Sequence, residues 1–245
     1  MELKKFSAET HQGPFLNLNE DGYDFDLDQE LFMIFDGFGG NGVGDKVVEE
    51  LKTSVKKFYQ NFVEDRNATL PFFYSPKFTL EGNALINSAL FSHEKIFKAN
   101  QIVPIAQRGG ASGIIMAKFE SLITLLFVGS CRGYLLRRGK LTKLCEEDTH
   151  RHISFDSLDS HLKNMPLSGF GLFPDLYYQV KEVRVVQGDK LVLMTDGVFG
   201  RMDEDEVKAS VSQYTVNIKS KVHQMFQLSN QRGNLDNQTC MILEY

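Results

Sequence analysis

Three aspartates of this chain stand next to strand-like apolar runs. They are Asp36, Asp196 and Asp236. The first two follow apolar runs and the third shortly precedes one, and runs of this length indicate buried strands. Each aspartate is therefore expected where a strand meets a loop. Carboxylates from distant parts of the chain can then converge on a divalent cation, which indicates metal-assisted chemistry.

The dipeptide Asp-Gly is also common in turns, so the pair Asp36-Gly37 taken alone is explained by turn structure. Its surroundings strengthen the metal interpretation, because Asn19-Glu20-Asp21 lies upstream and further glycines follow. Carboxylate and carbonyl ligands without His or Cys at ligand spacing select Mg²⁺ or Mn²⁺ over zinc. Two such ions about 3.5–4 Å apart polarise a phosphoryl oxygen and activate water, which predicts phosphoester hydrolysis.

Composition limits the class of protein. With 245 residues, of which 42% are hydrophobic, the chain can form one large β-rich domain or two small ones. No apolar stretch approaches the roughly 20 residues that span a bilayer, and the start lacks the apolar segment of a secretory signal, so we expect a cytoplasmic protein without membrane contact. The net charge of -5, with both signs interspersed, argues against nucleic-acid binding. Three cysteines without CxxC spacing predict buried small side chains.

Apolar periodicity predicts the order of elements. Strands are expected near residues 3–8, 30–35, 111–119, 122–128, 134–138, 177–186, 190–195 and 239–244. Helices are expected over residues 45–62, 84–97 and 216–228, and another is expected to open at the acidic run 203–206. Gly188-Asp189 predicts an antiparallel hairpin between 183–186 and 191–194. This order differs from the βαβ alternation of a parallel sheet and favours sheet packed on sheet with helices outside.

Five segments, in this order along the chain, resemble the successive motifs of the metal-dependent serine/threonine protein phosphatases, the PPM or type 2C family. They are Asn19-Glu20-Asp21, Phe35-Asp36-Gly37-Phe38-Gly39-Gly40, Val128-Gly129-Ser130-Cys131-Arg132, Thr195-Asp196-Gly197-Val198 and Asp236-Asn237-Gln238-Thr239. The resemblance covers essentially the whole chain. It implies an α+β fold, the four-layer α-β-β-α sandwich of two antiparallel sheets flanked by helices, in a single domain over 1–245 with a flap-like insertion around 146–174.

The resemblance also implies the roles of individual residues. Asp36 would bridge two Mn²⁺ or Mg²⁺ ions, and Asp196 and Asp236 would hold one of them, so that all three act catalytically through metal-activated water. The Gly37 carbonyl and the carboxylates of Glu20 or Asp21 would serve the other ion, partly through waters. The implied substrate is a phosphorylated protein, with a serine/threonine kinase or its targets as partner and the chain itself a monomer. Phe38, where animal members carry His, is similar to the bacterial branch.

Two positions depart from the family pattern. Leu16 stands where the family has a phosphate-binding Arg, a contact worth roughly 1.5–3 kcal/mol. Ser130 stands where an Asp supports a third metal ion, so weak or absent third-site binding is expected. The general acid is unassigned. His150 and His152 are candidates for it and Arg108 is a candidate phosphate ligand, although solvated surface side chains explain all three as well.

Three hypotheses follow. The first is a Mn²⁺- or Mg²⁺-dependent phosphatase acting on phosphoserine or phosphothreonine. The second is a pseudophosphatase that binds phosphoproteins or regulates them, motivated by Leu16 and Ser130. The third is a nucleotide-binding oxidoreductase, because Gly37, Gly39 and Gly42 satisfy GxGxxG. It is disfavoured because Asp36 would face the pyrophosphate with like charge.

Overall fold

A computed structural model of the chain describes residues 1–39, 42–65, 69–148, 166–213 and 217–245. These residues form two five-stranded antiparallel sheets and several helices. The strands are β1 (Lys5–His11), β2 (Asp21–Asp26), β3 (Leu31–Phe38), β4 (Gly110–Phe119), β5 (Leu122–Val128), β6 (Arg132–Arg137), β7 (Lys140–Lys143), β8 (Gln179–Arg184), β9 (Lys190–Met194) and β10 (Gln238–Glu244). The helices are α1 (Val43–Glu64), α2 (Leu80–Gln101), α3 (Asp196–Phe199), α4 (Glu204–Ser212) and α5 (Ile218–Gln231), with a 3-10 turn at Ile105–Gln107.

The two sheets stack face to face between helical layers. The first sheet has the strand order β1-β10-β9-β6-β7 and the second has the order β2-β3-β4-β5-β8. Helices α1 and α2 pack on the outer face of the second sheet, and α3, α4 and α5 pack on the first. A third apolar cluster fills the space between the sheets. The predicted fold class, an α-β-β-α sandwich, is confirmed.

Burial on both faces explains why strand β3 is a continuous apolar run. Met33 and Phe35 point to the helical layer, while Phe32 and Ile34 point to the core between the sheets. A strand exposed on one face would instead alternate apolar and polar residues. β3 lies between β2 and β4 inside its sheet, and its last residues, including Asp36, reach one end of the sandwich.

Helix α4 begins where the acidic run predicted it. The Asp203 side chain accepts a hydrogen bond from the Glu206 amide at 2.9 Å, and the Glu206 carboxylate accepts one from the Asp203 amide at 3.0 Å. This reciprocal pair is a capping box, which satisfies amides that the first turn leaves without partners. The acidic run is thus a helix start.

The structure corrects two sequence-based predictions. The first correction is strand β2, which the apolar periodicity does not predict. Three of its six residues are aspartates, and four of the six are only partly buried. The predicted hairpin is wrong, since β8 pairs with β5 in one sheet and β9 pairs with β10 and β6 in the other. Val185 is buried in the core between the sheets, and its amide donates to the Ser121 carbonyl at 2.8 Å. The chain therefore crosses between sheets at this turn.

The flap-like insertion predicted at 146–174 is described in part. His150 and His152 fall within 149–165 and lie outside the described residues. The two described ends meet, because the Leu167 amide donates to the Asp148 carbonyl at 2.9 Å. On the return side, Ala111 and Phe170 form an isolated antiparallel bridge. The base of the insertion is therefore joined to strand β4.

All three cysteines are buried and free, as predicted. In the parts of the chain that the structure describes, no helix combines the length and apolar character needed to cross a membrane.

Candidate metal centre

Four aspartates meet at one end of the sandwich, two from each sheet. Asp21 begins β2 and lies directly opposite Asp36 of β3 in the antiparallel register. Asp196 begins α3 just after β9, and Asp236 lies just before β10, the neighbour of β9. Because the two sheets are stacked, these two pairs of carboxylates face each other across the end of the core.

The electrostatics confirm that the four carboxylates are close together. Burial raises the pKa of Asp36 well above its usual value, and the charges of Asp196, Asp21 and Asp236 raise it further. Burial also raises the pKa of Asp21, with added repulsion from Asp236 and Asp196. For Asp196, burial and then the charge of Asp236 raise the pKa to about 7. The cluster therefore concentrates negative charge that a cation or protons must balance.

Hydrogen bonds hold three members of the cluster. The carboxyl groups of Asp36 and Asp196 share a hydrogen bond, so the two titrate together. The Thr195 hydroxyl donates to Oδ2 of Asp21 at 2.8 Å, and the Ser130 hydroxyl lies 3.5 Å from Oδ2 of Asp36. Among the described residues, no three His, Cys, Asp or Glu side chains stand in the geometry of a preformed metal cage.

Glu20 lies beside the cluster, but its side chain has another partner. Its Oε1 accepts a hydrogen bond from the Gly44 amide at 3.0 Å in the first turn of α1, a favourable place for a carboxylate. Its carbonyl accepts from the Gly37 amide at 3.0 Å. Glu20 thus ties the start of β2 to both the end of β3 and the start of α1.

The glycines that follow Asp36 and Asp196 are required by close packing. Neither Gly37 nor Gly197 has a positive φ. A Cβ at Gly37 would lie 2.5 Å from the Glu20 carbonyl oxygen, and a Cβ at Gly197 would clash with the carbonyl oxygen of Asn237. The backbones therefore approach so closely that only glycine fits. This approach brings Asp36 and Asp196 towards the other carboxylates.

The side chain of Asn237 binds the loop between β1 and β2 and so holds this loop next to Asp236, which is exposed. Its Oδ1 accepts from the Glu20 amide at 2.9 Å, and its Nδ2 donates to the carbonyls of Gln12 and Leu18 at 2.7 and 2.9 Å. The motif analysis included Asn237 without assigning it a role. A buried amide with three backbone contacts to one loop is a positioning device.

Of the two residues that depart from the PPM pattern, Ser130 lies beside the cluster. Leu16, 39% exposed, belongs to the loop that Asn237 holds. Ser130 is buried and hydrogen-bonds Ser112 at 3.1 Å as well as approaching Asp36. The Arg108 guanidinium donates to the Val103 carbonyl at 3.2 Å, which turns it back along its own loop. The Phe38 ring packs beside Gly110 and Gly169.

Arg132 places a cation near the cluster. Its guanidinium hydrogen-bonds Glu147 and Tyr134 and stacks 3.9 Å from the centroid of the Phe199 ring. Its charge lowers the pKa of Asp196, although burial and the charge of Asp236 outweigh this effect. Arg132 therefore connects the start of β6, residue Glu147 and helix α3. The sequence alone does not show this connection, because Glu147 and Phe199 are distant from Arg132 in the chain.

The donor set suits hard divalent cations. The cluster offers carboxylate oxygens and nearby backbone carbonyls, which are the ligands that Mg²⁺ and Mn²⁺ prefer. The raised pKa values of Asp21, Asp36 and Asp196 show that the carboxylates repel one another. Cations would relieve this repulsion, so the residues present fit a metal centre of this kind.

No protein-family model and no curated protein matches the chain. Solved structures match it over nearly its whole length. One is PppA, a key regulatory component of T6SS in Pseudomonas aeruginosa, which is 21% identical with a TM-score of 0.79 over 98% of this chain and 96% of that one. Another is the PPM Ser-Thr phosphatase MsPP from Mycobacterium smegmatis in complex with cacodylate, which is 18% identical with a TM-score of 0.78 over 100% and 99% of the two chains.

The catalytic domain of the serine/threonine protein phosphatase PstP, in complex with two manganese ions, also matches. It is 18% identical, with a TM-score of 0.74 over 98% of this chain and 97% of that one. At these identities the likeness concerns the course of the chain and the arrangement of its layers. The chain therefore has the fold of the PPM-type serine/threonine phosphatases.

Proposed function

We propose that this chain is a bacterial-type member of the PPM family that hydrolyses phosphoserine and phosphothreonine in proteins with Mn²⁺ or Mg²⁺. The observation that carries the proposal is the convergence of four aspartates, two from each sheet; burial, together with the charges of neighbouring carboxylates, raises the pKa of Asp21, Asp36 and Asp196. The fold supports it, because solved structures with the same fold are serine/threonine phosphatases and one was solved with two manganese ions. We place the protein and its substrates in the cytoplasm, where a serine/threonine kinase would supply the phosphoproteins.

The ligands would divide between two ions. Asp36, Asp196 and Asp236 would hold these ions together with the Gly37 carbonyl and the carboxylate of Asp21 or Glu20. Divalent cations held there would supply the Lewis acidity that phosphoester hydrolysis needs and would generate a nucleophile from water at neutral pH.

The chain's own residues would orient these groups. Thr195 holds Asp21 by a hydrogen bond of 2.8 Å, and Asn237 holds the loop beside Asp236. The charge of Arg132 favours the ionised form of Asp196, which is the form that binds a cation. Phe38 offers no proton to a leaving alkoxide, so the general acid stays unassigned.

The proposal is tested by assaying hydrolysis of an aryl phosphate with and without Mn²⁺. Asp196→Asn and Asp236→Asn should each abolish the Mn²⁺-stimulated rate, because each removes a charged ligand. The matched control is Asp205→Asn, which removes an exposed carboxylate in the first turn of α4. Wild-type rates in the first two variants would contradict the proposal.

A second readout follows metal binding without catalysis. Mn²⁺ should raise the melting temperature of the wild-type protein, since a ligand present at 100 times its Kd adds about 2.7 kcal/mol to the free energy of unfolding. The Asp196→Asn variant should lose most of this stabilisation, and adding chelator to the wild type should reverse it.

A pseudophosphatase that binds or regulates phosphoproteins is the alternative, and two observations favour it. Leu16 is apolar and exposed where a phosphate ligand is expected, and Ser130 offers a hydroxyl instead of a carboxylate near Asp36. This alternative predicts heat of Mn²⁺ binding in calorimetry with negligible turnover in a sensitive phosphatase assay. Turnover that chelator abolishes would exclude it.

A further inference from the structure

A cavity lies at the opposite end of the sandwich from the aspartates. It has a volume of about 490 Å³ and lies between two turns, Arg138-Gly139 after β6 and residues 187–189 before β9. Lys190 at its edge begins β9, whereas Asp196 follows the far end of that strand. At roughly 3.3 Å per residue, the length of β9 keeps the two sites about 15–20 Å apart.

The only carboxylate that lines this cavity among the described residues is already neutralised. The Asp189 side chain is 1% exposed. Its two oxygens accept hydrogen bonds from Nε and Nη2 of Arg137 at 2.9 and 2.6 Å, and from the Val186 amide at 2.9 Å. Arg137 and Asp189 therefore form a closed pair that contributes little net charge to the cavity.

The other cationic side chains at or near the cavity are more numerous than the carboxylates that pair with them in the described part of the chain. Lys190 lines the cavity and shares the Glu244 carboxylate, at 3.0 Å, with Lys221, which lies at 3.2 Å. One carboxylate thus faces two ammonium groups. Arg138 is exposed, and in the described part of the chain it makes no ion pair. Arg138 and Lys190 therefore give the cavity lining an excess of positive charge, in a chain whose net charge is -5.

The backbone at Arg138 is unusual for its residue type. Arg138 has a φ of 49°, in the left-handed region that favours glycine and asparagine, and Gly139 follows with a φ of 75°. A Cβ on Gly139 or Gly188 would meet nothing within 4 Å, so both turns border open space. An arginine thus stands at the cavity in a turn conformation that asparagine would adopt with less backbone strain.

We propose that this cavity binds a phosphate-bearing small molecule of nucleotide size. Arg138 presents a guanidinium, whose geometry suits phosphate oxygens, and Lys190 adds charge at the wall. Leu136 and Val186 provide apolar wall for a ring, and the volume lies in the range of ligand pockets, about 300–1,000 Å³. The proposal does not depend on phosphatase activity.

Calorimetric titration with ATP in the presence of EDTA tests this site. Without divalent cations the aspartate cluster repels an anion, so ATP binding reports the basic cavity. We expect saturable binding of one ATP per chain with a Kd below about 1 mM, and no binding of adenosine, which lacks phosphate. Absence of ATP binding, or adenosine binding as tight as that of ATP, would overturn the proposal.

A variant that keeps the turn locates the binding. Arg138→Asn removes the guanidinium but suits a positive φ, so the protein should melt at the wild-type temperature or above while its Kd for ATP rises at least tenfold. The control is Lys77→Asn, which removes one positive charge at an exposed site between α1 and α2 and should leave the Kd unchanged. ATP binding unaltered in Arg138→Asn would refute the assignment.

Discussion

The hydroxyl of Thr195 donates a hydrogen bond to Oδ2 of Asp21 at 2.8 Å and thereby joins the two sheets at the candidate metal centre. The same hydroxyl oxygen accepts from the Thr239 amide at 2.9 Å. One buried side chain thus links the end of β9, the start of β10 and the start of β2. The two halves of the carboxylate cluster are held in register by this link.

Replacing Thr195 with valine should lower the free energy of unfolding by about 1–3 kcal/mol, because the buried Asp21 oxygen and the Thr239 amide both lose a partner. The measurement is urea denaturation without metal. Thr195→Ser keeps the hydroxyl and is the control, so it should retain most of the stability. Equal losses in both variants would mean that the methyl group, not the hydrogen bond, is responsible.

Replacing Ser130 with aspartate should change metal-free stability and metal binding in opposite directions. The Ser130 hydroxyl lies 3.5 Å from Oδ2 of Asp36, so a carboxylate there adds charge to a repelling cluster. In EDTA the variant should melt at a lower temperature than the wild type, and calorimetry should show additional Mn²⁺ binding. Ser130→Asn is the uncharged control. No gain in Mn²⁺ binding over this control would contradict the prediction.

Replacing Leu16 with arginine should improve use of phosphate esters, provided that the protein is an active phosphatase. A charge-assisted contact to phosphate is worth roughly 1.5–3 kcal/mol, which corresponds to an increase of about ten- to a hundredfold in kcat/KM for an aryl phosphate. The matched control is Leu18→Arg, since Leu18 is 51% exposed on the same loop. An equal gain in both variants would indicate general electrostatic attraction instead of a specific contact.

His93 should make the protein acid-sensitive. Burial lowers the pKa of His93, while the carbonyls of Pro174 and Phe173 oppose this shift in part. Its Nδ1 accepts from the Gly171 amide at 3.1 Å, which holds the returning end of the flap and requires an unprotonated Nδ1. The unfolded chain binds a proton near the ordinary His pKa of about 6.5 and the folded chain does not. The contribution of neutral His93 to the free energy of unfolding is therefore complete at a pH above about 6.5, and it is lost as the pH falls below that value.

The acid sensitivity is measured by comparing wild-type protein with His93→Gln. The difference between their melting temperatures should be larger at pH 8 than at pH 5.5. At pH 5.5 the wild type loses stability because its folded state keeps the imidazole of His93 neutral, whereas the variant has no imidazole at this position. The comparison cancels the titration of all other groups that the two proteins share. A difference that does not change with pH would show that His93 acts by packing alone.

Much of this architecture is readable from local patterns in the sequence. The buried strands β3, β5 and β9 are apolar runs, and α4 starts at its capping residues. Strand β2 is not readable in this way, because three of its six residues are aspartates and only pairing with β3 makes it a strand. The strands that pair with β8 and β9 also cannot be predicted from the local sequence. The turn residues Gly188-Asp189 are compatible both with a hairpin and with a connection that crosses from one sheet to the other.

Local sequence patterns indicate which carboxylates lie next to apolar strands, and therefore which residues are candidates for a metal centre, because burial, turns and caps depend on nearby residues. The folded chain is needed to see which distant groups share a hydrogen bond or repel one another, as Asp36 and Asp196 do, and that Glu20 reaches the Gly44 amide. It also shows that Arg138 and Lys190 border one cavity. The physical reason is that pairwise energies depend on distance in space, which long-range strand pairing sets and local periodicity does not encode.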